Sequence, residues 1–166
     1  MTARAKIFLS LWGRIRLYKS SIKKFDILIT FKHTMCMRSE ERKYKIYFYK
    51  DRQGKEPIAE YIQSLVCRND KESRIKAAKI QSYISYLRKE GTAAGEPYIK
   101  HIEGEIWELR PLRDRIFFAA WDGEGFILLH YFIKKTQKTP QREIDQAKRN
   151  LADHKKRSKE NEKKDL

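Results

Sequence analysis

Residues 98–133 read YIKHIEGEIWELRPLRDRIFFAAWDGEGFILLHYFI, a succession of short runs rich in aromatic and β-branched side chains. The runs are YIKHI, IWELR, RIFFAAWD and FILLHYFI, parted by Glu103-Gly104, by Pro111 to Asp114 and by Asp122 to Gly125. Connections this short and this rich in turn formers predict an antiparallel meander. Upstream, YKIYFYK (residues 44–50) alternates as a half-buried strand does and runs into a turn at Asp51 to Gly54. Pro57 then stands where a helix tolerates a missing amide hydrogen, and Ile58, Tyr61, Ile62 and Leu65 follow at helical spacing. A longer helix is predicted over 72–90, where Ile75, Ala78, Lys79, Ser82, Tyr83, Tyr86 and Leu87 recur at three-and-four spacing before Gly91 stops them. After Pro140 the stretch PQREIDQAKRNLADHKKR predicts a third helix, giving way to the charged SKENEKKDL. Strand, two helices, four strands and a helix describe an α+β fold: an antiparallel sheet of four to five strands, with helices on one face and the other face available.

The chain has 166 residues, enough for one compact domain with tails and too few for a second catalytic domain. Lys plus Arg number 38 against 22 for Asp plus Glu, a formal net charge of +16, so a polyanion is the first partner to consider. Cys36 and Cys67 stand far apart, and with four scattered histidines they form no zinc pattern. Both read as free thiols of a cytoplasmic protein, with no metal and no cofactor expected. No apolar run reaches the roughly 18 residues that span a bilayer, so no membrane partner is expected. Residues 1–42 differ from the rest, with Asp26 the only acid before Glu40. They read as a basic extension, either an amphipathic segment that touches membrane or RNA or, the favoured reading, a dispensable leader upstream of a true start at Met35 or Met37. The domain is expected over 43–152, with 153–166 as a charged tail.

Cations recur at the strand ends. Strand alternation sets Glu108 and Arg110 on one face of IWELR, with Trp107 and Leu109 on the other. Arg115 opens the next strand a tight turn later, and Lys134 and Lys135 close the strand after that, so these groups can converge at one end of the sheet. Fixed cations suit phosphate, and they suit better the charge that builds on the phosphoryl oxygens when a ribose 2′-hydroxyl attacks its neighbouring phosphorus. RNA brings that nucleophile with it. Arg110, Arg115, Lys134 and Lys135 are therefore the candidate catalytic cations. The candidate RNA contacts are Lys100 and His101 on the first run of the meander, Arg113 in the turn, Tyr131 as a stacking ring and Lys138 in the polar loop. Each has a plainer reading: Arg110 can simply pair with Glu108 or Asp114, and Arg113 and Lys138 can be solvated loop residues. His101, His130 and Tyr131 all have side chains able to move a proton, and the sequence does not choose among them.

IWELRPLRDRIFF, together with FILLHYFIKKTQKTPQREIDQA, resembles the phage-derived, host-killing branch of the RelE/HigB toxin superfamily, and YKIYFYKDRQGKEPIAEYI is similar to that branch's amino terminus. The resemblance spans roughly residues 43–152. It implies a RelE-like, microbial-ribonuclease-type fold, cleavage of mRNA on the ribosome and neutralisation by a HigA-like helix-turn-helix antitoxin. It also implies that Arg115 holds the scissile phosphate, that Arg110 is the arginine of the WELR motif, and that Lys135 with Lys134 supplies the cation after the last strand. No residue matches the carboxy-terminal tyrosine or histidine that transfers a proton in other members. A non-catalytic RNA- or ribosome-binding module would use the same cations without breaking a bond, and a degenerate toxin would act mainly through its antitoxin.

Overall fold

The computed structural model describes residues 43–135 and 138–162. The expectations for residues 1–42, including the start site and Cys36, lie outside the described residues. Nine elements follow in order: β1 (Lys45–Phe48), α1 (Pro57–Cys67), α2 (Lys71–Glu90), a short 3-10 turn (Gly91–Ala94), β2 (Ile99–Glu103), β3 (Ile106–Leu109), β4 (Asp114–Trp121), β5 (Gly125–Ile133) and α3 (Gln141–Glu162).

The local signals act as read. Pro57 opens α1. Asp70 caps α2 by accepting the Ser73 amide at 2.7 Å, and Gly91 ends that helix at φ 61 with its own amide on Leu87 O. The last turn of α2 carries Arg88 and Lys89, which suit the negative end of the helix dipole. Asp122 and Gly123 both take positive φ (52 and 74), so the β4–β5 hairpin turns in the sense that strand twist favours.

β2, β3, β4 and β5 form the predicted antiparallel meander within one sheet of order β1-β5-β4-β3-β2. β1 departs from the antiparallel expectation, for it pairs parallel to β5, with Lys45 opposite Gly125 and Phe48 opposite Leu128. A parallel neighbour needs a crossover of a dozen or more residues, and α1 with α2 supplies one.

The closeness of that pairing falls on Gly125, where an added Cβ would stand 2.3 Å from Lys45 O. Gly125→Ala must therefore push β1 off its partner. We expect a loss of roughly 1–3 kcal/mol, read as a lower midpoint in urea unfolding.

The helices do not share one face of the sheet, and the expectation of an open face is corrected. Tyr131 stacks on Tyr61 of α1 with ring centroids 4.2 Å apart, whereas its neighbour His130 meets Glu143 of α3 at 2.8 Å. Adjacent strand residues point to opposite faces, so α1 and α3 lie on opposite sides. The cause is in β4, where the residues from Asp114 to Ala119 are all buried in sequence rather than alternately. A strand buried on both faces needs cover on both. On the α3 side Phe117, Ala119, Ile127 and Leu129 pack with Ile144, Ala147 and Leu151.

α3 also runs on through the charged stretch expected to be a tail, reaching Glu162. Lys, Arg and Glu are good helix formers, and here they have partners. Tyr49 donates to Asp153 at 2.9 Å, Arg157 pairs with Asp153 at 2.9 Å, and Lys148 and Lys155 each meet a carboxylate of the β2–β3 hairpin at 2.7 Å.

Candidate functional site

A cavity of about 600 Å³ opens on the α3 face, where the end of the meander meets the first turn of α3. Lys100 and Ile102 of β2, Glu108 of β3, Arg110, Lys134, Lys138, Thr139, and Gln141 and Ile144 of α3 line it. Register explains the gathering. Lys100 pairs with Glu108, Glu108 with Phe117, and Phe117 with His130. Cross-strand partners share a face, so Lys100 and Glu108 stand beside each other, and two-residue alternation adds Ile102 and Arg110. Lys134 is fixed at the same end because its amide donates to Arg113 O at 2.8 Å, and the Arg110 amide donates to Tyr98 O at 3.0 Å.

Glu108 organises the charges. It is 2% exposed. Its Oε2 lies 3.7 Å from Arg110 Nε, its Oε1 lies 3.6 Å from Arg115 Nε, and Thr139 Oγ1 approaches Oε1 at 3.5 Å. Burial pushes its carboxyl above the usual value, against the pull of Arg115, Arg110, Lys134 and Lys100. Arg110 also lies 3.7 Å from Glu96, and its side chain remains 26% exposed. Arg115 is different. It is 8% exposed, burial lowers its pKa from the usual guanidinium value, and its Nη1 donates to Leu112 O at 2.9 Å and to Asp114 O at 2.8 Å.

Of the predicted catalytic cations, then, Arg110 and Lys134 line the cavity, Arg115 stands behind it in ion-pair contact with Glu108, and Lys135 is exposed outside the lining. Of the predicted RNA contacts, Lys100 and Lys138 line it and Arg113 is exposed in the adjoining turn. His101 and Tyr131 belong to the other face: His101 bonds Gly104 O at 2.8 Å and meets the Trp107 ring edge-on, while Tyr131 lies on Tyr61. His130 shares the cavity's face but is taken up by Glu143.

From sequence Glu108 is only an incidental partner for Arg110, and Thr139, Gln141, Ile102 and Ile144 are not among the predicted site residues. The signal for Glu108 was its place two residues before Arg110 and on the same face. Among the described residues no cluster of three or more His, Cys, Asp or Glu side chains could hold a metal ion. Chemically, the arrangement can draw in an anion: cations line a half-open cavity whose single buried carboxylate is already engaged.

A family model described as "Phage derived protein Gp49-like (DUF891)" matches residues 70–152, which include every residue lining the cavity. The chain matches no curated protein.

Proposed function

Because the chain belongs to the phage-derived Gp49-like family, a family of the RelE/HigB toxin type, we propose that it is the toxin of a type II toxin–antitoxin pair and acts as an endoribonuclease on mRNA. The carrying observation is the cavity itself, in which Lys100, Arg110, Lys134 and Lys138 face one space. Residues 43–152 are the toxin unit, mRNA on the ribosome is the substrate, and a HigA-like helix-turn-helix antitoxin is the partner that silences it. No helix among the described residues is long and apolar enough to cross a membrane.

The cavity's chemistry suits a metal-independent transesterification. The substrate's 2′-oxygen bonds to phosphorus, the P–O5′ bond breaks, the hydroxyl proton leaves and O5′ takes one up. The products are a 2′,3′-cyclic phosphate and a 5′-hydroxyl. Extra negative charge gathers on the non-bridging oxygens at the midpoint, and Arg110 and Lys134 are the cations that meet it, a reading supported by their both lining the cavity. Lys100 and Lys138 hold the neighbouring backbone, a contact that positions without reading sequence.

The test is induction of the full-length chain followed by mapping of mRNA 5′ ends. New ends bearing a 5′-hydroxyl support the reading, while growth arrest with intact message favours the non-catalytic binding module. Binding has its own signature. Removing one phosphate-facing cation by Lys134→Ala is expected to flatten the salt dependence of single-stranded RNA affinity by about 0.7 in the log–log slope, as read from titrations over a range of salt concentrations.

A further inference from the structure

Glu108 is the one acidic side chain among the described residues that lines the cavity, and it sits among cations that otherwise suit a phosphate. A buried negative charge at that place opposes a bound phosphodiester, so its presence lowers affinity. Neither does it fit as a proton acceptor from ribose. At 2% exposure its two oxygens are divided between Arg110 and Arg115, with Thr139 beside the second.

What that arrangement supplies is orientation. Arg110 is a long side chain reaching a half-open cavity, and a planar guanidinium serves a reacting phosphate only in a narrow range of angles. Arg115 is anchored to the Pro111–Asp114 turn, so Glu108 links the partly exposed Arg110 guanidinium to a fixed one.

We propose that Glu108 is a positioning residue that uses its two oxygens to hold Arg110 against the anchored Arg115, raising the rate of cleavage at the expense of affinity for the RNA backbone. This rests on the endoribonuclease reading above. The charge-neutral isostere Glu108→Gln should therefore bind phosphate better and react worse, a split that a merely structural carboxylate would not produce.

The experiment uses full-length wild type, E108Q, R110A and the double variant. Affinity is measured with a 2′-deoxy oligonucleotide, which lacks the nucleophile and is not cut, and rate is measured as single-turnover cleavage of ribosome-bound mRNA. E108Q is expected to bind the deoxy probe about fivefold more tightly and to cleave about twentyfold more slowly. In the R110A background the same substitution should change cleavage less than about twofold, because the residue it positions is gone. Weaker or unchanged binding by E108Q overturns the proposal, and so does an equal loss of rate in both backgrounds. Loss of the acidic limb of the pH–rate profile in E108Q also overturns it, since that would make Glu108 a proton carrier. Should E108Q fail to fold, E108D keeps the test open: the retained charge should leave affinity near wild type, while the shorter reach slows cleavage. Wild-type protein inert towards message would count against the endoribonuclease reading. Wild-type cleavage without the E108Q split counts against Glu108 alone.

Discussion

Arg110→Ala is expected to lower the rate of mRNA cleavage by about 100-fold, or roughly 2.7 kcal/mol of transition-state stabilisation, with little change in the protein's unfolding midpoint. Arg110 is the one arginine among the described residues that lines the cavity, and its side chain is 26% exposed. Its ion-pair contacts at 3.7 Å with Glu108 and Glu96 are too long for hydrogen bonds, so their loss should cost about 1 kcal/mol or less of stability. A guanidinium placed to meet charge that develops only during reaction is worth far more. Single-turnover cleavage and urea unfolding, measured on the same preparation, separate the two effects. Cleavage within threefold of wild type would remove Arg110 from the reaction and leave the cavity as a binding surface. Arg110→Lys keeps the charge without the fork and should recover only part of the rate.

Arg110, rather than the residue the sequence ranked beside it, carries this test because of what could and could not be read in advance. The meander was legible because each run is bounded by residues with a definite turn preference, and strand alternation correctly put Glu108 and Arg110 together. The parallel pairing of β1 was not, since a strand followed by two helices can return to either edge of a sheet in either direction. The clue to cover on both faces lies in β4. IFFAAW (residues 116–121) is a continuous apolar run, which a one-sided sheet has no use for, and β4 is buried without alternation from Asp114 to Ala119. The second covered face also makes the site. With α3 on the second face, the Thr139–Ile144 segment becomes a wall of the cavity, Glu108 becomes buried, and His101 and Tyr131 turn away. Charge at strand ends could be read from the residues, but its depth could not, because depth depends on a helix that begins 31 positions downstream of Arg110.

Depth decides what Arg115→Ala should do, and the expected result differs in kind from that of Arg110. Removing this side chain should destabilise the fold by about 3 kcal/mol, in the range seen when one partner of a buried ion pair is deleted. Glu108, 2% exposed, would lose its nearer guanidinium and with it the strongest pull that opposes burial of its carboxyl. The turn would loosen too. Leu112 holds a positive φ of 56 without being glycine, a conformation that costs about 1 kcal/mol or more and persists only where neighbours enforce it. Arg115 Nη1 bonded to Leu112 O at 2.9 Å and to Asp114 O at 2.8 Å is such an enforcement, and Asp114 is in turn held by the Tyr61 hydroxyl at 2.5 Å. Arg115→Lys should fall between, at about 1–2 kcal/mol, because an ammonium keeps the charge but has no second nitrogen to face Glu108 while it bonds the two carbonyls. The urea midpoint should therefore drop in the order wild type, Arg115→Lys, Arg115→Ala, with the Arg110→Ala midpoint near wild type. Any cleavage lost in Arg115→Ala is then read only under conditions where the variant remains folded. A midpoint for Arg115→Ala no lower than that of Arg110→Ala would mean that the buried guanidinium does not support the turn, and Arg115 would return to the list of groups that meet the phosphate directly.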